Sequence, residues 1–175
     1  MMSFKNQNLS ERDICTKYIT PALVKSGWNL QTQIREEVTF TAGRIIVRGK
    51  TVARGQVKRA DYILSYKSHL PLAVIEAKDQ NHSLEAGLQQ AMNYGETLDV
   101  PFVYSSNGKG FIEHDRTQSS GEIQKELSLE NFPSPEELYQ KYKTWKGIAE
   151  SEEKIITQDY FEDLNGKSPR YFQEI

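Results

Sequence analysis

Cysteine, long apolar runs and clustered histidines are all scarce in this chain of 175 residues. Cys15 is the only cysteine and has no partner for an internal disulfide, which favours a reducing, cytoplasmic setting. No apolar run reaches about 18 residues, which argues against a membrane span. The first residues, MMSFKNQNLS, lack the pattern of a signal peptide. The three histidines are too widely spaced to predict a zinc site.

Two catalytic signatures are missing as well. No GxxxxGK[ST] phosphate-binding pattern occurs. The stretch Asn107-Gly108-Lys109-Gly110 is too short to be a phosphate-binding loop, and it joins two predicted strands, so we predict a turn there. We therefore do not expect this chain to hydrolyse ATP. Ser105 and Ser106 have no matching His/Asp arrangement for nucleophilic catalysis.

The length and composition indicate one soluble globular domain, with 37% hydrophobic and 26% charged residues. The net charge is only −2, but between residues 35 and 60 there are seven Arg or Lys against two Glu. A basic segment of this kind is compatible with an approaching polyanion such as DNA, or with a solvated hairpin loop. The DNA-binding candidates in it are Arg48, Lys50, Arg54, Lys58 and Arg59.

The order of predicted elements is that of an α/β protein with a mixed sheet. The Ser10 to Asp13 stretch has a capping-box pattern that begins a helix over 10–26. Ser83 begins a second helix that runs to about Leu98. The stretch Ser134-Pro135-Glu136-Glu137 begins a third, with Pro at the first helical position and a Glu that completes a capping box. The predicted strands are 34–40, 44–47, 60–66, 72–77, 100–105 and 110–114.

The segments between these elements are predicted to be turns and loops. RGKTVARGQVKR, between the second and third strands, contains two glycines and is predicted to be a loop. Residues 69–71 are predicted to form a turn, because Pro71 discourages strand pairing. From Lys146 onward the pattern weakens into a charged stretch.

Charged residues stand where two apolar strands should be buried. Asp61 opens the run DYIL, and Glu76 and Lys78 close the run LAVIEAK. Glu76 and Lys78 share one face of a strand, and Asp61 joins them if the two strands pair. Neighbouring carboxylates raise each other's pKa unless a cation lies between them, and oxygen ligands of this kind suit Mg²⁺. The simpler alternative is a structural salt bridge between Glu76 and Lys78.

Asp61, fourteen intervening residues and then Glu76-Ala77-Lys78 resemble the PD-(D/E)XK nuclease superfamily, with Ala60 in place of the usual proline. Longer stretches resemble the N-terminal part of the type I restriction enzyme R subunit. They are SERDICTKYITPAL, IREEVTFTAGRIIVRGK, RADYIL, LAVIEAKDQNHS, LQQAMNYGETLDVPFVYSSNGKGFIEHDRT and FPSPEELY. The resemblance implies a restriction-endonuclease-like core, with a central mixed β-sheet flanked by helices, and a Mg²⁺-dependent endonuclease acting on double-stranded DNA.

The resemblance also assigns roles to single residues. It implies that Asp61 and Glu76 bind the metal and that Lys78 acts on the attacking water or the phosphate. Gln90 and Tyr94 match the QxxxY motif that supports the site, although they would otherwise be polar residues on a half-buried helix. Glu11 corresponds to an acid that many of these nucleases turn toward the metal, or is simply a favourable charge in a first helical turn.

The C-terminal sequence GKSPRYFQ resembles the segment that leads into the helicase-like motor of these subunits. We therefore expect a nuclease domain over residues 1–145 and a linker over 146–175 toward a motor that this chain lacks. The resemblance implies that the full subunit translocates DNA using ATP and assembles with methyltransferase and specificity subunits. Two alternatives remain open, a stand-alone structure-specific nuclease and a non-catalytic module that docks DNA or partner subunits.

Overall fold

The computed structural model describes residues 9–41, 46–48, 51–53 and 57–158, and for 46–48 and 51–53 it describes the backbone alone. Two of the basic candidates, Lys50 and Arg54, lie outside the described residues, as does the GKSPRYFQ segment. Arg48 lies in a described strand, but its side chain is not described.

A six-stranded mixed sheet forms the centre of the structure, which confirms the predicted fold class. Its strands, in spatial order, are β1 (Ile34–Thr41), β4 (Val57–Lys67), β5 (Leu70–Ala77), β6 (Phe102–Ser106), β7 (Phe111–Asp115) and β8 (Gln124–Leu127). All neighbours are antiparallel except β5 and β6. Strands β2 (Ile46–Arg48) and β3 (Thr51–Ala53) form a separate antiparallel pair.

Helices cover both faces of this sheet. They are α1 (Glu11–Ile14), α2 (Thr20–Lys25), α3 (Leu88–Leu98), α4 (Pro135–Lys146) and α5 (Glu150–Ile156). The predicted capping boxes at Ser10 and Ser134 are both formed. A π-helical turn, Cys15–Ile19, joins α1 to α2. This turn ends two residues before Pro21, which has no N–H to donate, so it lies where the regular hydrogen bonding of a helix would be interrupted.

The parallel pair β5–β6 requires a crossover, and the segment that makes it carries a 3₁₀ turn (Leu84–Gly87) followed by α3. Helix α3 packs on one face of the sheet, against an apolar cluster that includes Val74 and Val103. The opposite face holds a larger cluster with Trp28, Tyr104 and Tyr139. The crossover therefore fixes α3 beside the carboxyl end of β5.

Several local predictions were wrong. The predicted loop RGKTVARGQVKR contains β3 and the start of β4. Pro71 lies within β5, opposite Ser65, where the pairing register shifts, and a residue without an N–H is tolerated at such an irregularity. Neither β8 nor α5 was predicted. Helix α5 contacts the rest of the fold through an ion pair of 2.6 Å between Lys143 and Glu153.

Across the part of the chain that the structure describes, no helix is both long enough and apolar enough to cross a membrane.

Candidate active site

Asp61, Glu76 and Lys78 meet at the carboxyl end of β5, where the antiparallel partner β4 supplies Asp61. The β4–β5 register pairs Tyr62 with Ile75, which brings Asp61 level with Glu76 on the neighbouring strand. Asp61 Oδ2 accepts a hydrogen bond of 2.7 Å from the backbone N–H of Ala77. The carboxylate of one strand is thus anchored on the backbone of the other, between Glu76 and Lys78.

Glu76 is almost fully buried, with 4% of its surface exposed. Its Oε1 accepts a hydrogen bond of 3.0 Å from Lys78 Nζ. Its Oε2 is buried and has no hydrogen-bond partner among the described residues. A buried carboxylate oxygen without a donor is unfavourable, because it has lost its water and gained nothing in return. This oxygen is therefore the atom of the site best suited to bind a cation.

Lys78 links the carboxylates to helix α3. Besides Glu76, its Nζ lies 3.6 Å from Glu11 Oε1 in α1 and donates a longer hydrogen bond of 3.4 Å to Gln90 Oε1. Gln90 Nε2 in turn donates to the hydroxyl of Tyr94 at 2.7 Å. Gln90 and Tyr94 therefore share one face of α3, as their i, i+4 spacing predicted, and Gln90 reaches the ammonium of Lys78.

The electrostatics of the site follow from three carboxylates near a single ammonium. Burial, followed by repulsion from Asp61, raises the pKa of Glu76 from 4.5 to about 7. Burial and the charge of Glu11 also raise the pKa of Asp61, although the hydrogen bond from Ala77 acts in the opposite direction. For Lys78, burial lowers the pKa, but the hydrogen bond and attraction to Glu76 outweigh it, and the pKa is raised. Lys78 thus keeps its proton near neutral pH.

The carboxylate oxygens of the site suit a divalent metal ion. Asp61 and Glu76 offer carboxylate oxygens from adjacent strands, and Glu76 Oε2 is the unpartnered buried one. Within the described ranges, no group of three or more His, Cys, Asp or Glu side chains is arranged to hold a metal ion. Two carboxylates nevertheless fit Mg²⁺, which usually keeps several waters and completes its shell with substrate phosphate. Glu11 contacts Lys78, and its role as a further ligand stays a prediction.

Two residues beside the carboxylates were not recognised from the sequence. Ser105 pairs with Glu76 across the parallel β5–β6 ladder, and its fully buried hydroxyl has no hydrogen-bond partner among the described residues. Gly87 lies against it: a Cβ at Gly87 would be 2.6 Å from Ser105 Oγ and 3.1 Å from Glu76 Cγ. The sequence does not predict that Ser105 and Gly87 lie against Glu76, because the crossover between β5 and β6 brings these three residues together.

The structure describes the side chains of two basic candidates, Lys58 and Arg59, and these side chains contact different partners. Lys58 donates a hydrogen bond of 2.9 Å to Thr97 and lies over the ring of Tyr94, 5.9 Å from its centroid. Arg59 forms an ion pair of 2.6 Å with Glu37 of β1. Lys58 therefore contacts Tyr94 of the QxxxY pair, whereas Arg59 contacts a residue of β1.

Both the sequence and the fold of this chain resemble those of known proteins. The family described as "Type I restriction enzyme R protein N terminus (HSDR_N)" matches residues 30–132. The type I restriction enzyme EcoAI endonuclease subunit of Escherichia coli is 49% identical over 174 residues, which is 99% of this chain and 22% of that protein.

A solved structure is also similar. It is a fragment assigned as an HsdR subunit of a type I restriction enzyme from Vibrio vulnificus YJ016, with 38% identity and a TM-score of 0.76. The match covers 96% of this chain and 31% of that one. The chain thus spans about a fifth of the length of the curated relative and about a third of the solved chain.

The first prediction concerns Asp61→Asn, which should stabilise the metal-free protein at pH 8. Asparagine keeps an acceptor for the Ala77 N–H and removes one of the clustered negative charges. An acid whose pKa is raised on folding stabilises the fold while protonated, and this contribution is lost as pH rises through the folded-state pKa. For Glu76 that loss falls between its ordinary 4.5 and about 7.

We therefore expect Asp61→Asn to gain about 1 kcal/mol at pH 8, or about 2–4 °C in Tm, and less at pH 5. The measurement is thermal unfolding in EDTA at both pH values. Glu130→Gln, which removes one negative charge from an exposed residue outside the site, should change Tm little. A lower Tm of Asp61→Asn at pH 8 would contradict the proposed charge repulsion.

The second prediction concerns the contact between Gly87 and Ser105. Gly87→Ala should destabilise the fold by about 1–3 kcal/mol, because the added methyl group overlaps Ser105 Oγ and crowds Glu76. Adding Ser105→Ala removes the closest atom and should restore part of the loss. Chemical denaturation of the wild type, both single variants and the double variant measures this coupling. Strictly additive effects would show that the two residues do not crowd each other.

Proposed function

This chain belongs to the family of type I restriction enzyme R protein N termini, and from that membership we propose that it is the endonuclease domain of such a subunit. It hydrolyses phosphodiester bonds in double-stranded DNA in a Mg²⁺-dependent reaction. The observation that carries the proposal is the buried Glu76 carboxylate, which holds Lys78 through one oxygen while its other oxygen has no partner among the described residues.

Asp61 and Glu76 are the proposed metal ligands, with Glu11 as a further candidate from α1. When bound, Mg²⁺ would polarise the scissile phosphate and lower the pKa of an attacking water. Binding would also place a positive charge against the unpartnered Glu76 oxygen and relieve the repulsion that raises the pKa of that carboxyl. The fold thus holds the two acids in an arrangement that is unfavourable without a cation.

Lys78 acts as a fixed positive charge in this proposal and not as a general base. Its raised pKa means that it keeps its proton, so it cannot take one from water near neutral pH. Its Nζ donates to Glu76 and Gln90 and forms an ion pair with Glu11, and the two longer contacts, 3.4 Å to Gln90 and 3.6 Å to Glu11, are the ones that a phosphate oxygen can replace. In the reaction a water oxygen attacks phosphorus and gives up a proton to solvent, the P–O ester bond breaks, and the leaving oxygen takes up a proton from solvent, while Lys78 stabilises the negative charge on the phosphate oxygens.

Gln90 and Tyr94 are positioning residues. The amide of Gln90 accepts from Lys78 and donates to the Tyr94 hydroxyl, so the ammonium is tied to a helix that packs on the sheet. Lys58 lies over the Tyr94 ring and extends this surface with a positive charge. Together with Arg59 and the basic segment up to it, Lys58 is a candidate for contacts with DNA phosphates.

The wider assembly is proposed on the same basis. The full R subunit would add an ATP-dependent DNA translocase beyond this chain, and ATP would act only there. Methyltransferase and specificity subunits would complete the restriction complex in the cytoplasm. Residues 1–145 are the proposed nuclease domain, and 146–175 lead toward the motor.

The third prediction concerns metal binding. Isothermal calorimetry with Mn²⁺ or Mg²⁺, extended to millimolar metal with and without DNA, should detect binding to the wild-type chain. Asp61→Ala and Glu76→Ala should each weaken it at least about tenfold, because each removes one of the two proposed carboxylate ligands. Glu130→Ala, which removes an exposed acid outside the site, is the matched control. Affinity that depends on neither acid would favour the docking-module alternative.

The fourth prediction concerns Lys78 in the full restriction complex. Lys78→Ala should lower DNA cleavage by about a hundredfold or more, because it removes the charge next to the reacting phosphate. ATP hydrolysis should be unchanged, since the motor lies outside this chain. Lys78→Arg keeps the charge with a larger head group and should retain more activity than the alanine variant. Full cleavage by Lys78→Ala would rule out the assignment of this residue.

A further inference from the structure

A second charged cluster lies beside the candidate active site, and only its Arg59 is among the candidate DNA contacts named above. It consists of Arg12 in α1, Glu37 in β1 and Arg59 in β4. Arg59 Nη2 lies 2.6 Å from Glu37 Oε2, and Arg12 Nη1 lies 3.4 Å from Glu37 Oε1. One carboxylate therefore holds two guanidinium groups from two different elements. The side chains stay open to solvent, with 83% of Arg12, 50% of Glu37 and 58% of Arg59 exposed.

The backbone at Glu37 is irregular. Its φ is +53°, and among the described residues other than glycine only Asp99 also has a positive φ. Asp99 follows the end of α3, where this conformation is common, whereas Glu37 lies within a strand. The β1–β4 ladder pairs residues on either side, Glu36 with Tyr62 and Val38 with Ala60, and leaves Glu37 opposite Asp61. The irregular residue thus lies across from a proposed metal ligand.

Both arginines are close in sequence to residues of the site. Arg59 precedes Asp61 by two positions on β4, and Arg12 directly follows Glu11, whose carboxylate contacts Lys78. The cluster therefore lies next to the carboxylates on the face of the sheet that α1 covers, whereas Gln90 and Tyr94 belong to α3, which covers the other face. A DNA strand carries a phosphate at every nucleotide, so a strand with its scissile phosphate at Lys78 would present further phosphates to this neighbouring surface.

We propose that Arg12 and Arg59 form a binding site for a non-scissile phosphodiester group of the DNA, and that Glu37 occupies this site when DNA is absent. The inference rests on the proposed function. Guanidinium groups bind carboxylate and phosphate oxygens with the same planar fork, so Glu37 can stand in for the phosphate. On binding, the two Arg–Glu contacts break, two Arg–phosphate contacts form, and Glu37 moves further into the solvent to which it is already half exposed.

The energetics favour this exchange. Exposed ion pairs contribute little, so little is lost when Glu37 leaves. A phosphate bound by two arginines releases counterions from the DNA, which is the main source of affinity in such contacts. Glu37 keeps the arginines at one place and also opposes DNA through its own charge. Removing that charge should therefore strengthen DNA binding, whereas a purely structural clip between α1 and the sheet predicts lower stability and no such gain.

The test is DNA binding by this chain, measured as fluorescence anisotropy of a short labelled duplex in EDTA over a series of salt concentrations. Glu37→Gln should bind the duplex about three- to tenfold more tightly than the wild type. Arg12→Gln or Arg59→Gln, added to Glu37→Gln, should weaken binding and lower the slope of log K against log salt by about one each. Glu37→Gly, which adopts a positive φ without strain, should behave like Glu37→Gln and guards against a folding effect.

Glu36→Gln is the matched control, because Glu36 is the adjacent residue of β1 and carries the same charge. Its carboxylate accepts a hydrogen bond from the Thr20 hydroxyl and not from an arginine. Equal gains from Glu36→Gln and Glu37→Gln would overturn the proposal, as would unchanged salt slopes for both arginine variants or no measurable binding by Glu37→Gln. Because EDTA removes the metal, the result is independent of catalysis. A chain that passes this test and fails metal calorimetry would bind DNA without being a nuclease.

Discussion

The burial of the Glu76 carboxylate at the end of a central strand is the constraint on which the candidate site depends. A carboxylate in such a place needs hydrogen bonds or a cation, and Glu76 has one ammonium partner for two oxygens. Asp61 adds a second negative charge from the next strand, and the pKa of each acid rises. The folded chain therefore carries an electrostatic strain that a divalent cation would relieve. Stability is lost at the same residues that we propose for catalysis, as is common at active sites.

The parallel pair β5–β6 determines which residues can support this arrangement. It places Ser105 next to Glu76 and lets the backbone N–H of Lys78 donate to Ser106 O at 2.8 Å. The crossover that the pair requires brings Gly87 against the acids and α3 against Lys78. On the opposite face, a core of large aromatic side chains holds the sheet, and the indole N–H of Trp28 donates to Pro133 O. The site is thus built on rigid strands and not on loops.

The two flanks of the site differ in how they hold positive charge. On the side of α3, Lys78 and Lys58 are partly buried and tied to Gln90, Thr97 and the ring of Tyr94. On the side of α1, Arg12 and Arg59 are exposed and share one carboxylate. Partly buried cations keep a fixed position relative to the reacting group, whereas exposed ion pairs exchange partners at little cost. The first arrangement suits positioning at the reacting phosphate, and the second suits the binding of a flexible polyanion.

What the sequence determined was local. The capping boxes at Ser10 and Ser134, the apolar runs of β4 and β5 and the spacing of Gln90 and Tyr94 could be predicted, because each depends on residues a few positions apart. Linked motifs were enough to indicate the family and the α/β class. Strand β8 and helix α5 were missed, because Gln124–Leu127 and Glu150–Ile156 are polar segments whose order comes from tertiary packing and not from their own pattern.

Only the tertiary structure decided which groups share the site. That Ser105 lies beside Glu76, that Gly87 leaves no room for a side chain and that Glu37 binds arginines from two elements all depend on contacts between distant segments. The same holds for the pKa of Glu76, because burial is a property of the packed sheet and not of the run LAVIEAK. Residue types and spacing determine which chemistry is available, and packing determines the distances and the solvent access at which it operates.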